Sequence, residues 1–257
     1  SLHSVERKRF MKTNYSKAGI DKDSVTKRVL IELRRKIIQG VYPSGSRLLE
    51  TELAAAFETS RGTIRNTMQE LSGEGLVEFL DSGGCVVIGI NEKIVRDTYH
   101  FRGLLETEAA NILLSASDFS YTGMMSVLDQ YLMRKENQLF QSNPYEYCVD
   151  LDMQFHQAMV ATAQNRPIYR AWCSIAPVAK ELLIMNVTPA YWEAYIDRFY
   201  SRHKKMLDYI ILRDPKLLDE IKQQTNTGME MSVYNLQQPH RAETPLNGNQ
   251  SGVPEKN

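Results

Sequence analysis

Thr59-Ser60-Arg61-Gly62-Thr63-Ile64-Arg65-Asn66-Thr67-Met68-Gln69-Glu70-Leu71, or TSRGTIRNTMQEL, sets two patterns against each other. Ile64, Met68 and Leu71 recur at helical spacing and mark one apolar face. Two arginines, three threonines and an asparagine crowd the first nine residues. A helix with that much hydrogen-bonding capacity at its start, turned away from its core, needs something polar to meet.

The flanking sequence supplies a setting. Upstream, SVTKRVLIELRRKIIQG (Ser24 to Gly40) places Val25, Val29, Leu30, Leu33, Ile37 and Ile38 at helical spacing, and Gly40 stops it. VYPSGSRLLE turns through Pro43 and Gly45, and ETELAAAF forms a short second helix before the quoted one. Downstream, LVEFL and CVVIGI are two β-type runs around the turn DSGG, a hairpin. Helix, short helix, turn, helix and hairpin is the order of a winged helix-turn-helix, whose post-turn helix lies in the DNA major groove.

The polar crowding then sits at the end that meets DNA. Arginine can fork onto guanine or clamp a phosphate, so Arg61, Arg65 and, between them, Thr63 are candidate contacts. Thr59 and Ser60 can cap the helix and leave N–H groups facing phosphate. Gly83 and Gly84 at the hairpin tip allow positive φ and close backbone approach, and Arg47 precedes the second helix. The competing reading is a solvated helix face with Arg61 and Arg65 paired to Glu58, Gln69 or Glu70; the surrounding motif argues against it.

Composition narrows the class. The 257 residues carry no net charge, but residues 1–90 hold 14 basic against 11 acidic side chains and the rest 17 against 20. That puts a nucleic-acid partner at the front. Three cysteines without CxxC spacing argue against a disulfide framework or zinc ribbon. No run approaches the ~18 apolar residues of a membrane span, so a cytoplasmic protein is expected. Residues 1–22 read as a flexible basic arm, 23–90 as the DNA-binding domain, 91–236 as an all-α antiparallel bundle and 237–257 as a disordered tail. The fold class is mainly α. Helices are expected near 91–115, 118–140, 144–164, 166–186, 189–212 and 214–236, several with a proline near the start.

In the back half, polar residues occupy apolar stripes. Asp152, Phe155, His156, Met159 and Ala163 share one helix face, and Phe199, His203, Met206 and Ile210 another. Thr225 is in line with Leu218 and Ile221. A carboxylate and two imidazoles from different helices can hold a divalent metal with positions open for water or a ligand carboxylate. Each histidine is equally readable as a hydrogen-bonded core residue.

The segment Leu30 to Val87 resembles the DNA-binding domain of GntR-type bacterial transcription regulators. The landmarks are I-x-x-G-x-Y-x-x-G-x-x-L (Ile37 to Leu48), S-R-x-x-I-R (Ser60 to Arg65) and L-x-x-E-G-L-V (Leu71 to Val77). Gly62 and Asn66-Thr67 depart from the common pattern, which points to a different operator. The helical region resembles the FCD ligand-binding domain, through FRGLLETEAA (Phe101 to Ala110), the D-x-x-F-H run at Asp152 to His156, Asn165 and His203.

The resemblance implies a homodimeric regulator, by family habit a repressor, that binds a double-stranded DNA operator and a small organic or sugar acid effector. It implies a zinc, nickel or manganese ion on Asp152, His156 and His203. The position of the family's fourth histidine, 22 residues after His203, is Thr225. Arg102 would be the effector's counter-ion, or the ion-pair partner of Glu106; Asn165 and Thr225 would be polar contacts. Two alternatives stand beside this. One is a metal-free regulator whose methionines (Met124, Met125, Met153, Met159, Met185, Met206) line a pocket for a larger acyl ligand; the other, more remote, is a metal-dependent hydrolase.

Overall fold

The computed structural model describes residues 17–136, 144–187 and 192–238, and the chain divides into two units, one of residues up to 37 with 42–89 and the other of residues 38–41 with those from 90 on. The expected arm up to residue 16, the tail from 239, the end of the expected 118–140 helix and the start of the expected 189–212 helix lie outside the described residues.

In the first unit, α1 (Lys17–Ile38) begins seven residues before Ser24, so residues 17–22 of the expected arm are helical. Nothing between Lys17 and Ser24 breaks a helix strongly. Strand β1 (Arg47–Leu48), α2 (Glu50–Ala56), α3 (Arg61–Gly73), β2 (Val77–Phe79) and β3 (Cys85–Val87) follow. The sheet has the antiparallel order β1-β3-β2, with Leu48 opposite Cys85 and Phe79 also opposite Cys85. β1 is a third strand that the hairpin reading did not contain; two residues are too few to show alternation. Leu33, Ile37, Ile64, Met68, Leu71 and Leu76 are fully buried and form the core of this unit.

A buried ion pair ties α1 to the end of α3. Arg34 Nε and Nη2 each donate to a Glu74 oxygen at 2.6 Å, a bidentate fork.

The second unit contains α4 (Glu92–Ser115), α5 (Thr122–Glu136), α6 (Pro144–Thr162), α7 (Arg166–Asn186), α8 (Trp192–Leu212) and α9 (Lys216–Leu236). Asn91 caps α4 by accepting from the Ile94 N–H at 2.9 Å. Helix α5 starts at Thr122 rather than near 118; Ser117 is a bend and residues 118–121 have no regular structure. Residues 163–165 reverse α6 into α7, and the two pack against each other as an antiparallel pair. Helix α9 lies along α4, where a Cβ on Gly228 would come 2.8 Å from Tyr99 Cε1, so the glycine permits the close approach. Tyr99, Tyr131, Phe155 and Trp172 fill the interior. No helix of the described residues is long and apolar enough to cross a membrane.

Candidate effector site and nucleic-acid interface

On α3 the exposed residues are Arg61, Gly62, Arg65, Asn66, Gln69, Glu70 and Gly73, while Thr63, Ile64, Thr67, Met68 and Leu71 face inward. Ser60 caps the helix, its Oγ accepting from the Thr63 N–H at 3.1 Å, and Thr59 is half-buried beside it. Thr63 therefore departs from its expected place among outward contacts. Its side chain is 5% exposed and its Oγ1 lies 2.9 Å from Ser60 Oγ, because Thr63 shares the inward side of the first turn with Ile64. Asn66 and Gln69 instead share the outward face with Arg65; their spacing from Arg61 and Arg65 was the available signal.

Both arginines meet a carboxylate that the sequence reading did not single out. Arg65 Nε and Nη2 donate to Glu50 of α2 at 2.7 and 2.8 Å, and Arg61 Nη2 lies 3.5 Å from the same carboxylate. The Arg65 hydrogen bond, with the charges of Arg65 and Arg61, holds the Glu50 carboxyl below its ordinary range against the opposing effect of desolvation. Both guanidiniums are more than half exposed, with side-chain values of 64% and 58%, so the pairing is weak and exchangeable.

Arg47 grips the hairpin tip. Its Nη2 donates to Ser82 O and Ser82 Oγ at 3.1 Å each and to Gly83 O at 2.8 Å. Gly83 and Gly84 have φ of +87° and +78°, and a Cβ on Gly84 would sit 2.5 Å from Leu48 O. Positive φ and lack of room both require glycine at 84.

In the second unit, Asp152 and His156 of α6 meet His203 of α8. One ligand atom from each lies within 4.8 Å of the others, and all three residues are buried. Asp152 Oδ2 is 3.4 Å from His203 Nε2, and Asp152 Oδ1 is 3.9 Å from His156 Nε2. His203 Nδ1 is 2.8 Å from Phe199 O, which fixes the proton on Nδ1 and leaves the Nε2 lone pair facing Asp152. Neither Nε2 has a hydrogen-bond partner among the described residues. Two orphaned imidazole nitrogens opposite a carboxylate suit a first-row divalent metal. The donor set fits.

Burial pushes the His203 imidazolium down to about 4 against the pull of Asp152, so the ring is neutral at pH 7 and competent as a ligand. Burial works to raise the Asp152 carboxyl, but His203, His156 and Arg102 together bring it below its ordinary value. Arg102, a permanent cation, contributes to holding Asp152 ionised at neutral pH.

Arg102 comes from α4. Its Nε donates to Glu106 Oε1 at 2.7 Å and its Nη2 lies 3.6 Å from Asp152 Oδ1. Glu106 also accepts from Trp172 Nε1 at 3.1 Å, and its Oε2 lies 3.0 Å from His156 Nδ1, off the line of a hydrogen bond. Burial disfavours the Glu106 carboxylate, but Arg102 and His156 overcome it and its pKa falls. Glu106 is thus a second neighbour of the cluster, expected only as a surface partner of Arg102. Its place on the buried stripe with Tyr99, Ala109, Ala110 and Leu113 was the signal.

Arg102, Asp152, His203 and Thr225 line a cavity of about 170 Å³ within this unit. Thr225 turns its hydroxyl back to its own helix, donating to Ile221 O at 2.6 Å, and packs against Gly103. Asn165 does not line the cavity: it caps α7, its Oδ1 accepting from the Ile168 N–H at 3.2 Å. A helix-junction asparagine meets orphan N–H groups first, and that local demand decides its role. Met124, Met153, Met159 and Met206 are core, Met125 is exposed and Met185 half-buried; none of them lines the cavity.

Comparison with known proteins agrees with this layout. The family described as "Bacterial regulatory proteins, gntR family" matches residues 25–87, and "FCD domain" matches residues 97–224. The chain is 28% identical to the gluconate operon transcriptional repressor of Bacillus licheniformis, over 79% of this chain and 83% of that protein. It is 26% identical to the repressor of the same name from Bacillus subtilis, over 86% and 90%. Among solved structures, a transcriptional regulator GntR from Rhodococcus sp. RHA1 shares the fold, with a TM-score of 0.57 at 20% identity over 82% of this chain and 98% of that one. Escherichia coli McbR/YncC also has a TM-score of 0.57, at 14% identity over 82% and 98%.

These families and relatives are regulators, not enzymes, which sets the hydrolase reading aside. With a winged helix-turn-helix in front and an FCD domain behind, the chain belongs to the GntR family of DNA-binding bacterial transcription regulators, in the branch that carries the FCD domain.

Proposed function

We propose that the protein is a repressor whose operator affinity is set by a small carboxylate effector seated, with a divalent metal, in the cavity between α4, α6, α8 and α9. The observation that carries this is the buried cluster of Asp152, His156 and His203 in the FCD domain, two of whose members, Asp152 and His203, line the same cavity as Arg102. The relatives named as gluconate operon repressors support a sugar acid as effector and repression as the output.

In this reading Asp152, His156 and His203 hold the metal, which supplies a Lewis-acidic site for a ligand carboxylate. Arg102 gives the effector a fixed cation whose position is set by Glu106. Thr225, in place of a fourth imidazole, leaves that side of the site to the effector or water. The DNA-facing residues are Arg61, Arg65, Asn66 and Gln69, with Ser60 and Thr59 at the helix start, Arg47 bracing the wing, and Gly83 and Gly84 at its tip. A homodimer would set two copies of α3 in successive major grooves of a near-palindromic operator. The cytoplasm is the compartment this requires. Effector control is a coupling between two sites and so must run both ways: operator DNA will weaken effector binding by the factor that effector weakens DNA binding.

Elemental analysis of purified wild-type protein beside His156→Ala tests the metal. About one ion per chain, lost in the variant, is expected; absence after incubation with zinc, nickel or manganese overturns that part. Selection of duplex DNA from a random pool, followed by titration of sugar acids into the complex, tests the rest. Failure to enrich any sequence, or release by none of the acids, refutes it.

A further inference from the structure

Three guanidinium groups line the cavity, and only Arg102 is engaged. Arg198 and Arg202 stand one turn apart on α8, on the face that also carries Tyr195, Phe199 and His203. Neither guanidinium has an ion-pair or hydrogen-bond partner among the described residues. Like charges four residues apart on a helix repel, and Asp152 is the only carboxylate among the described lining residues. Asp152 belongs to the opposite end, where it faces His203 at 3.4 Å and receives a 3.3 Å hydrogen bond from Tyr195 OH.

Burial separates the two ends. His203, Asp152 and Arg102 are buried, whereas Arg202 is half-buried and Arg198 exposed. The cavity therefore runs from an inner end at Asp152 and His203 to an outer end holding two cations without a partner among the described residues, with Gln224 and Thr227 adding polar atoms to its lining. Arginine's planar fork matches carboxylate and phosphate oxygens, and two forks one turn apart form a receptor for one multiply charged oxyanion.

We propose that the effector is a two-headed acid: a carboxylate at the inner end and a second anionic group, carboxylate or phosphate, held by Arg198 and Arg202. The proposal rests on the reading that a small acid occupies this cavity, and it assigns Arg198 and Arg202 as the residues that set specificity for charge at the far end. A singly charged acid of the same length leaves both cations unanswered.

Calorimetric titration of the full chain, with zinc present, compares D-gluconate (one carboxylate), D-glucarate (a second carboxylate) and 6-phospho-D-gluconate (a phosphate). At least one two-headed acid is expected to bind ten-fold or more tightly than D-gluconate, and the stronger of the two identifies the second group. In the Arg198→Gln/Arg202→Gln double variant, which alters side chains outside the core, that ratio is expected to fall towards one. Equal affinity of all three acids for the wild type overturns the proposal while leaving the small-acid site standing. An advantage that survives in the double variant overturns the assignment of the two arginines. Binding of none of the three removes the underlying reading, and this proposal with it.

Discussion

Glu106 stands between Arg102 and His156: its Oε1 accepts from Arg102 Nε at 2.7 Å, and its Oε2 lies 3.0 Å from His156 Nδ1. A buried carboxylate in that position neutralises the guanidinium and faces His156 Nδ1, so that Nε2 is the ring nitrogen on the Asp152 side. Loss of one partner from a buried pair leaves an uncompensated charge. Glu106→Ala is expected to lower unfolding free energy by about 3–5 kcal/mol in urea titrations. Glu106→Gln keeps the volume and should cost less, yet still weaken metal binding by roughly ten-fold or more. A Gln variant with wild-type metal affinity would show that Glu106 does not position His156.

His203 makes the metal-free protein sensitive to acid. Its folded pKa, lowered to about 4 by burial, is below the ordinary value of 6.5, so between those values the unfolded chain binds the extra proton. Stability is therefore full above about pH 6.5 and declines as pH falls towards 4, by about 2 kcal/mol between pH 7 and pH 5. Asp152, whose carboxyl is also lowered, extends the loss to still lower pH. Urea midpoints for wild type and His203→Gln at the two pH values check this. The variant should lose less on acidification; an equal loss would place the sensitivity elsewhere.

The two wing glycines should respond unequally to alanine. Gly83→Ala strains only the backbone, at φ +87° in open space, and about 1–2 kcal/mol is expected. Gly84→Ala adds a Cβ 2.5 Å from Leu48 O, so β1 or the wing must move. Its melting temperature should be the lower of the two, and its DNA affinity reduced at temperatures where the domain is still folded. The reverse order would mean that the wing relaxes around residue 84.

Arg65 tests the DNA-facing surface. Its exposed pairing with Glu50 is one that a phosphate or a guanine can replace. Arg65→Ala is expected to weaken operator binding roughly ten-fold or more. If the contact is to phosphate, the dependence of log affinity on log salt should flatten by about 1. Glu50→Ala, which frees the guanidinium, should not weaken binding. An Arg65→Ala variant with unchanged affinity and slope would remove this residue from the interface.

Local pattern was enough for a good part of this. The helix, turn, helix and hairpin order, the polar start of α3, the Asp152–His156 pair and the His203 stripe all follow from interactions within four residues along the chain, which the chain carries in its own order. What required the folded protein was every question of facing. Thr63 and Arg65 are two residues apart, yet the rotation of α3 on its core buries one and exposes the other. β1 is too short to show alternation and exists only because β3 pairs with it. Asn165 answers the nearest unsatisfied N–H rather than a ligand. Glu106, Arg198 and Arg202 look like surface charges in isolation; they become a buried partner and a cavity lining only when α4, α6, α7, α8 and α9 pack. Which side chains converge across helices depends on packing between segments far apart in sequence, and no local periodicity contains that information.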